Sequence, residues 1–400
     1  MRLEVINGGI CAVKGVRAYG VREGSKGLAL IEGEGKATGA FTTIKTQAAP
    51  VIFTKKQLES GRISAIIANS GCANSFTGER GMRNAVKMAE LVSSCLGVDE
   101  DAVAVASTGA IGLQLDMGVI ERQLGEVAEE LTSAAKGSTT AAKAIMTTDT
   151  FHKESAVRII ETGDTEPVVI GGIAKGSGMI SPHMTTATML SFIYTDADLD
   201  GDVLSKSLGE AVDNSFNMTV VDGDMSTNDM VLLVATGKGG KIGEEDFKAG
   251  LTFVCQELAK QIARDGEGAT KFIEVTVRGA PSDADARAAA RAIVRSPLIK
   301  SAVFGERADL TCGRIIAAVG SAVLTEDIDL ERISISLKGA KAVLAVDNGK
   351  FIDLSGMVRD IMKAKEIVID VDLGTGGEAA ATAWGCDLTC DYVKLNAAYH

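Results

Sequence analysis

Apolar positions along the chain follow distinct rhythms. Val86, Ala89, Val92 and Leu96 recur at intervals of three and four, which predicts a helix over 83–97. Ile120, Leu124, Val127 and Leu131 repeat that spacing, with Glu and Arg on the other faces, and predict a second amphipathic helix. Other stretches are apolar at nearly every position. Val103-Ala-Val-Ala-Ser-Thr-Gly-Ala-Ile-Gly112 reads as a buried strand entering a tight turn, and residues 167–173 and 189–194 read as further buried strands. Phe272-Ile-Glu-Val-Thr-Val277, Ile333-Ser-Ile-Ser-Leu337 and Ile367-Val-Ile-Asp-Val371 alternate with period two, as half-buried strands do. Ser282 followed by Asp285 resembles a capping box, and the Ala-rich helix behind it should stop before Pro297. The first stretch, to about Ile67, predicts strands and hairpins joined by Gly-rich turns. Texture changes near Phe272. Residues 278–400 predict an α+β domain, and the first body runs through 159–277 without a linker.

Composition narrows the class. The 400 residues are 46% hydrophobic and 24% charged, enough to bury a sizeable core and too apolar for global disorder. A net charge of −12 argues against a general nucleic-acid binder, which needs a basic face. No run of 18 apolar residues marks a membrane span, and the N-terminus lacks the apolar core of a signal peptide, so a cytoplasmic protein is expected. Seven cysteines, an odd number spread from Cys11 to Cys390, suit reduced thiols better than a disulfide framework. Only Cys386 and Cys390 are close, and with three histidines in all, no metal site is expected. Scarce histidine also steers a catalytic reading away from a Ser-His-Asp arrangement. The Gly-rich stretches 33–39 and 237–243 keep neither Walker A order nor the dinucleotide-binding spacing.

The stretch that looks chemical is Lys175-Gly-Ser-Gly-Met-Ile-Ser-Pro-His-Met-Thr-Thr-Ala-Thr-Met-Leu-Ser191. A Thr hydroxyl is a weak nucleophile that needs a base beside it. Cutting the chain just before a Thr supplies one, because the new α-amino group, with a free pKa of ~7.7–8.0, lies next to the hydroxyl. The bland alternative is a polar turn before the next strand. Ser107-Thr108-Gly109 is the second candidate. A strand ending in Thr-Gly can aim a hydroxyl and a backbone N–H at one oxyanion, or can be an ordinary turn. Asn69-Ser-Gly-Cys-Ala-Asn74 and Val221-Asp-Gly-Asp-Met-Ser-Thr-Asn-Asp229 are clusters of small polar residues that usually fix turns locally.

Taken in order, these segments resemble the ornithine acetyltransferase family of arginine biosynthesis (glutamate N-acetyltransferase, ArgJ). The resemblance rests on Asn7-Gly-Gly9, Gly39-Ala-Phe-Thr-Thr43, Asn69-Ser-Gly-Cys-Ala-Asn74, Ser107-Thr-Gly-Ala-Ile-Gly112, Met146-Thr-Thr-Asp-Thr150 and Lys175-Gly-Ser-Gly-Met-Ile180. It continues through Ala187-Thr-Met-Leu190, Asp222-Gly-Asp-Met-Ser-Thr-Asn-Asp229, Asp265-Gly-Glu-Gly-Ala-Thr-Lys271, Trp384-Gly-Cys-Asp-Leu-Thr389 and Tyr392-Val-Lys-Leu-Asn396.

The resemblance implies self-cleavage between Ala187 and Thr188, with Thr188 as nucleophile. It carries an acetyl group from N2-acetyl-L-ornithine to L-glutamate through an acyl-enzyme. Thr108 and Gly109 match the oxyanion-hole pair. Lys175, Glu267, Asn396, Thr188 itself and a Thr of the Thr-Thr-Asp-Thr motif, Thr148 or Thr150, match substrate-binding positions. No cofactor is implied, and some members also use acetyl-CoA as co-substrate.

The implied fold is α/β, a layered α-β-β-α sandwich of the ArgJ/DmpA-like type completed across the cleavage point, plus a smaller C-terminal α+β domain. Residues 1–187 would form the alpha chain and 188–277 the part of the beta chain that completes the sandwich. Two alpha and two beta chains would assemble as a heterotetramer. This chain differs in carrying Thr185-Thr186 between Met184 and Ala187. A related hydrolase or aminopeptidase with water as acceptor, and an uncleaved inactive paralogue, are the rival readings.

Overall fold

Strands without a polar face need cover on both sides, and the centre of the first sheet consists of such strands. The computed structural model describes residues 1–160, 166–181, 189–325, 327–353 and 361–398. The chain divides into two compact units, Met1–Asn217 with Asp224–Leu258, and Met218–Gly223 with Ala259–His400.

The first unit carries β1 (Arg2–Val5), β2 (Arg17–Glu23), β3 (Lys26–Phe41), β4 (Arg62–Ser70), β5 (Val103–Ser107), β6 (Lys153–Ile160), β7 (Val168–Lys175) and β8 (Leu190–Thr195). After β9 (Thr219–Val220), which belongs to the second unit, comes β10 (Met230–Ala235). The sheet order is β1-β6-β7-β8-β10-β3-β4-β5, with β2 paired to the first part of β3. The sheet is mixed: β8 runs parallel to β10 and β4 to β5, and the other pairs are antiparallel.

Helices α1 (Ala49–Gln57), α2 (Gly78–Leu96), α3 (Met117–Glu129), α4 (Ala135–Ala144) and α5 (Gly201–Asp213) complete the unit, together with much of α6 (Glu244–Arg264). Successive side chains of a strand point to opposite faces. Leu28 and Leu30 of β3 therefore join Met88 and Val92 of α2 and Ile120 and Leu124 of α3 in one core. Ala29 and Ile31 join Ala141 and Ala144 of α4 and Phe192 and Tyr194 of β8 in another.

The two helices expected from spacing are α2 and α3, and the buried strands are β5, β7 and β8. Residues 49–57, expected to be strand or hairpin, form α1 instead. Its apolar run Pro-Val-Ile-Phe has no legible helical spacing. Pro50 stands in the first turn, where its missing N–H costs nothing. The helix is tied to β5 by Thr54, whose hydroxyl donates to Val105 O (2.7 Å) and accepts from Val105 N (2.8 Å).

The second unit is a seven-stranded sheet. Its strands are β9, β11 (Phe272–Ala280), β12 (Ser334–Lys338), β13 (Ala342–Asp347), β14 (Lys350–Phe351), β15 (Glu366–Asp372) and β16 (Ala379–Cys386), in the order β14-β13-β12-β15-β11-β16-β9. Helix α7 (Asp283–Arg295) buries Ala286, Ala289, Ala290, Ile293 and Val294. Ser282 caps it by accepting from Asp285 N (3.1 Å), as the capping box implied. It ends at Arg295, where Ser296 caps α8 (Pro297–Phe304) in turn. Helices α9 (Ala308–Gly320) and α10 (Cys390–Ala398) follow.

Candidate active site

In the first unit five separated motifs converge. Strand β5 ends at Ser107, and the next peptide is fixed from both sides. Thr108 N donates to Asn69 O (3.0 Å), and the Asn228 amide donates to Ser107 O (2.9 Å) and Ala73 O (2.6 Å). Gly109 follows with φ +130, a conformation that favours glycine, and an added Cβ would lie 2.3 Å from the Gly71 backbone carbon. Glycine is required there by both strain and space. The small polar residues at 69–74 thus form the wall against which Thr108-Gly109 packs.

Lys175 is the last residue of β7 rather than part of a loop, and in the ladder it stands opposite Leu190 of β8. Leu190 in turn pairs with Met230 of β10, so Lys175, Leu190 and Met230 form one row across the sheet. The Lys175 side chain is buried; its ammonium donates to Thr147 Oγ1 (2.9 Å) and Thr108 Oγ1 (3.2 Å). The expected Thr108 and Lys175 therefore meet. Of the Thr-Thr-Asp-Thr motif, it is Thr147 whose hydroxyl reaches Lys175; Thr148 is half-buried and Thr150 exposed.

Two buried carboxyl groups flank this cluster. Asp149 accepts from Lys153 Nζ (2.7 Å) and Gly176 N (2.8 Å) at one oxygen and from Thr147 N (3.0 Å) at the other. Burial by itself would push the Asp149 carboxyl up. The charges of Lys175 and Lys153 and these hydrogen bonds outweigh it and hold the group down at about 2. Asp229, just before β10, is 1% exposed, and neither carboxyl oxygen meets a donor in hydrogen-bond geometry among the described residues. Burial raises it well above the ordinary carboxylate range. The nearby Ser226 and Met189 N–H groups and the Lys175 charge oppose that without matching it.

Ala187 and Thr188 lie outside the described residues. Met189 follows them, and its carbonyl accepts from Met230 N (2.9 Å).

The second unit brings its own pair together: Asn396 Nδ2 donates to Glu267 Oε2 (2.7 Å). Side chains of the Trp384–Thr389 motif hold the Glu267 loop in place. Asp387 accepts from Thr270 N (2.8 Å) and Lys271 N (2.9 Å), and the Thr389 hydroxyl donates to Gly268 O (2.7 Å). Gly268, at φ +66, lies against the start of α10, where an added Cβ would sit 2.5 Å from Tyr392 N.

Thr147, Asp149, Lys153, Asn228 and Asp229 were not singled out as site residues by sequence reasoning. The small polar residues around Asn228 and Asp229 predict a local turn, yet Asn228 reaches carbonyls 121 and 155 residues away. The recurrence of small polar residues in several separate segments was the available signal.

Comparison with known families matches residues 13–400 to the ArgJ family. The glutamate N-acetyltransferase of Methanosarcina mazei is 50% identical over 406 residues, covering 99% of this chain and 100% of its own. The arginine biosynthesis bifunctional protein ArgJ of Symbiobacterium thermophilum is 45% identical over 413 residues, again covering 99% and 100%. The crystal structure of the ArgJ protein of Bacillus halodurans matches at 39% identity with a TM-score of 0.49, covering 53% of this chain and 100% of that one. With relatives this similar over their full lengths, the chain belongs to the ArgJ family.

Proposed function

We propose that the protein is a glutamate N-acetyltransferase of arginine biosynthesis, an acyltransferase that cuts its own chain between Ala187 and Thr188. The observation that carries this reading is the full-length match to relatives bearing that name and to the ArgJ family. The meeting of buried Thr108 and Lys175 with Thr147 in one cluster supports it.

In this reading the α-amino group of Thr188 takes the proton of its own hydroxyl as Oγ1 attacks the acetyl carbonyl of N2-acetyl-L-ornithine. Thr108 Oγ1 and Gly109 N–H stabilise the oxyanion. The C–N bond breaks, ornithine leaves with the proton on its amine, and an acetyl ester remains on Thr188. The amine of L-glutamate attacks that ester, N-acetylglutamate forms, and Oγ1 recovers its proton. Acetyl-CoA can supply the same acetyl group as a thioester donor. Lys175, a buried ammonium, suits a substrate carboxylate, and Glu267 with Asn396 suits a substrate ammonium or amide. The reading includes a layered α-β-β-α sandwich, a pairing of alpha and beta chains as a heterotetramer, and a cytoplasmic setting.

Intact mass under denaturing conditions tests it. Fragments of about 19 and about 22 kDa, by simple proportion of length, are expected, the larger beginning with Thr. Thr188→Ala should give one uncut chain without transfer activity. A wild-type chain that stays whole, or ornithine release that ignores glutamate, refutes the proposal.

A further inference from the structure

The buried Asp149–Lys153 pair has no part in the chemistry above, yet among the described residues it is the most sealed ion pair of the first unit. Both side chains are 0% exposed. Burying two charges costs more than burying an apolar pair of similar volume, so the pair calls for an explanation other than stability. Lys153 starts β6 and stands opposite Ala174 of β7, one residue before Lys175. It donates to Asp149 (2.7 Å) and to Phe151 O (3.2 Å), and its ammonium lies 4.8 Å from the centre of the Phe151 ring.

Asp149 gathers three donors from three places: Thr147 N in its own turn, Lys153 at the head of β6, and Gly176 N directly after Lys175. Thr147, held by its N–H, accepts from Lys175 Nζ at its hydroxyl oxygen. The same carboxylate thus fixes Lys175 at both ends. Gly176 anchors the backbone at its root, and Thr147 receives the ammonium at its tip. An ammonium on a four-carbon stem has many rotamers, and fixing root and tip leaves it few.

We propose that Asp149, neutralised by Lys153, is a positioning residue that holds the Lys175 ammonium where it meets the substrate carboxylate. Asp149 does not itself touch substrate. The inference rests on the acetyltransferase reading above and adds to it the device that aims Lys175. Lys153 makes the device workable in a sealed site, because it supplies Asp149 with a direct counter-ion.

Asp149→Asn alone would leave Lys153 buried without its anion, and such a variant can fail simply by unfolding. The test therefore uses Asp149→Ala/Lys153→Met and Asp149→Asn/Lys153→Met, which remove both charges together. Steady-state acetyl transfer is measured against wild type, with the folded fraction followed by circular dichroism. A misaimed Lys175 should raise KM for the acetyl donor about ten-fold or more in the Ala/Met variant. The Asn/Met variant, which keeps one acceptor oxygen for Gly176 N, should lie between it and wild type. A purely structural pair would lower kcat in step with the folded fraction and leave KM unchanged, and that result overturns the inference. Unaltered kinetics in the Ala/Met variant overturn it as well. A wild-type protein that transfers no acetyl group overturns the acetyltransferase reading and this inference together, whereas an active wild type with unmoved KM in the variants overturns this inference alone.

Discussion

At the scale of single residues, the Lys175 ammonium sits between two hydroxyl oxygens, donating to Thr147 Oγ1 and Thr108 Oγ1. Thr108 and Gly109 were legible because a strand ending in Thr-Gly has few ways to continue, and Gly109 at φ +130 is one of them. The Thr contact to Lys175 was not legible. Met146-Thr-Thr-Asp-Thr150 offers three hydroxyls, and the turn that Asp149 accepts from decides that Thr147 faces Lys175. If Thr108 donates to an oxyanion, Thr108→Ala should lower kcat by about 10²–10³ while Thr108→Ser keeps most of it. The comparison is informative because the Lys175 ammonium meets the Thr108 hydroxyl oxygen, which the Ser variant retains. Equal kcat for Thr108→Ala and wild type removes Thr108 from the oxyanion hole.

At the scale of elements, periodicity and capping chemistry located α2, α3 and α7, because each writes its buried face or its start into the local sequence. Ser282 does this most clearly. Its hydroxyl oxygen accepts from Asp285 N, and its O–H donates to the Asp285 carboxylate (2.6 Å). Asp285 also accepts from Thr325 N (2.8 Å), so the cap ties α7 to a later loop. Ser282→Ala should cost about 1 kcal/mol and speed amide exchange in the first turn of α7; exchange unchanged from wild type would show the cap to be idle. Helix α1 carried no such mark. Its nine residues gain their helical state from tertiary contact, Thr54 replacing a sheet partner along β5. Short segments are the ones packing can override, since too few local bonds form to decide the matter.

At the scale of the whole molecule, two buried carboxyls give pH dependences of opposite sign. Asp149 is held below its ordinary 3.8, at about 2. The stability it contributes is present above 3.8 and is lost as pH falls through about 2. Asp229 is held above 3.8, so its contribution is favourable below that value and is lost as pH rises through its folded pKa. Asp229→Asn should therefore raise the thermal midpoint at neutral pH, with the gain shrinking toward pH 4; a gain independent of pH would contradict the assignment.

The sequence alone marked β5, β7 and β8 as buried strands and located helices α2, α3 and α7, while the equally buried β10 and helices α4, α5 and α6 carried no mark that was read. It also marked which segments carry small polar residues in place of core. Those properties are local, set by side-chain period and by the cost of leaving apolar groups in water. Only the tertiary structure decided that Asn69, Thr108, Thr147, Lys175 and Asn228 belong to one cluster. It also decided that β8 runs between Lys175 and Met230, and that Asp149 serves three separate segments at once. Strand order and register arise from long-range pairing. No local pattern encodes which distant backbone will supply the donor that a buried carboxylate needs.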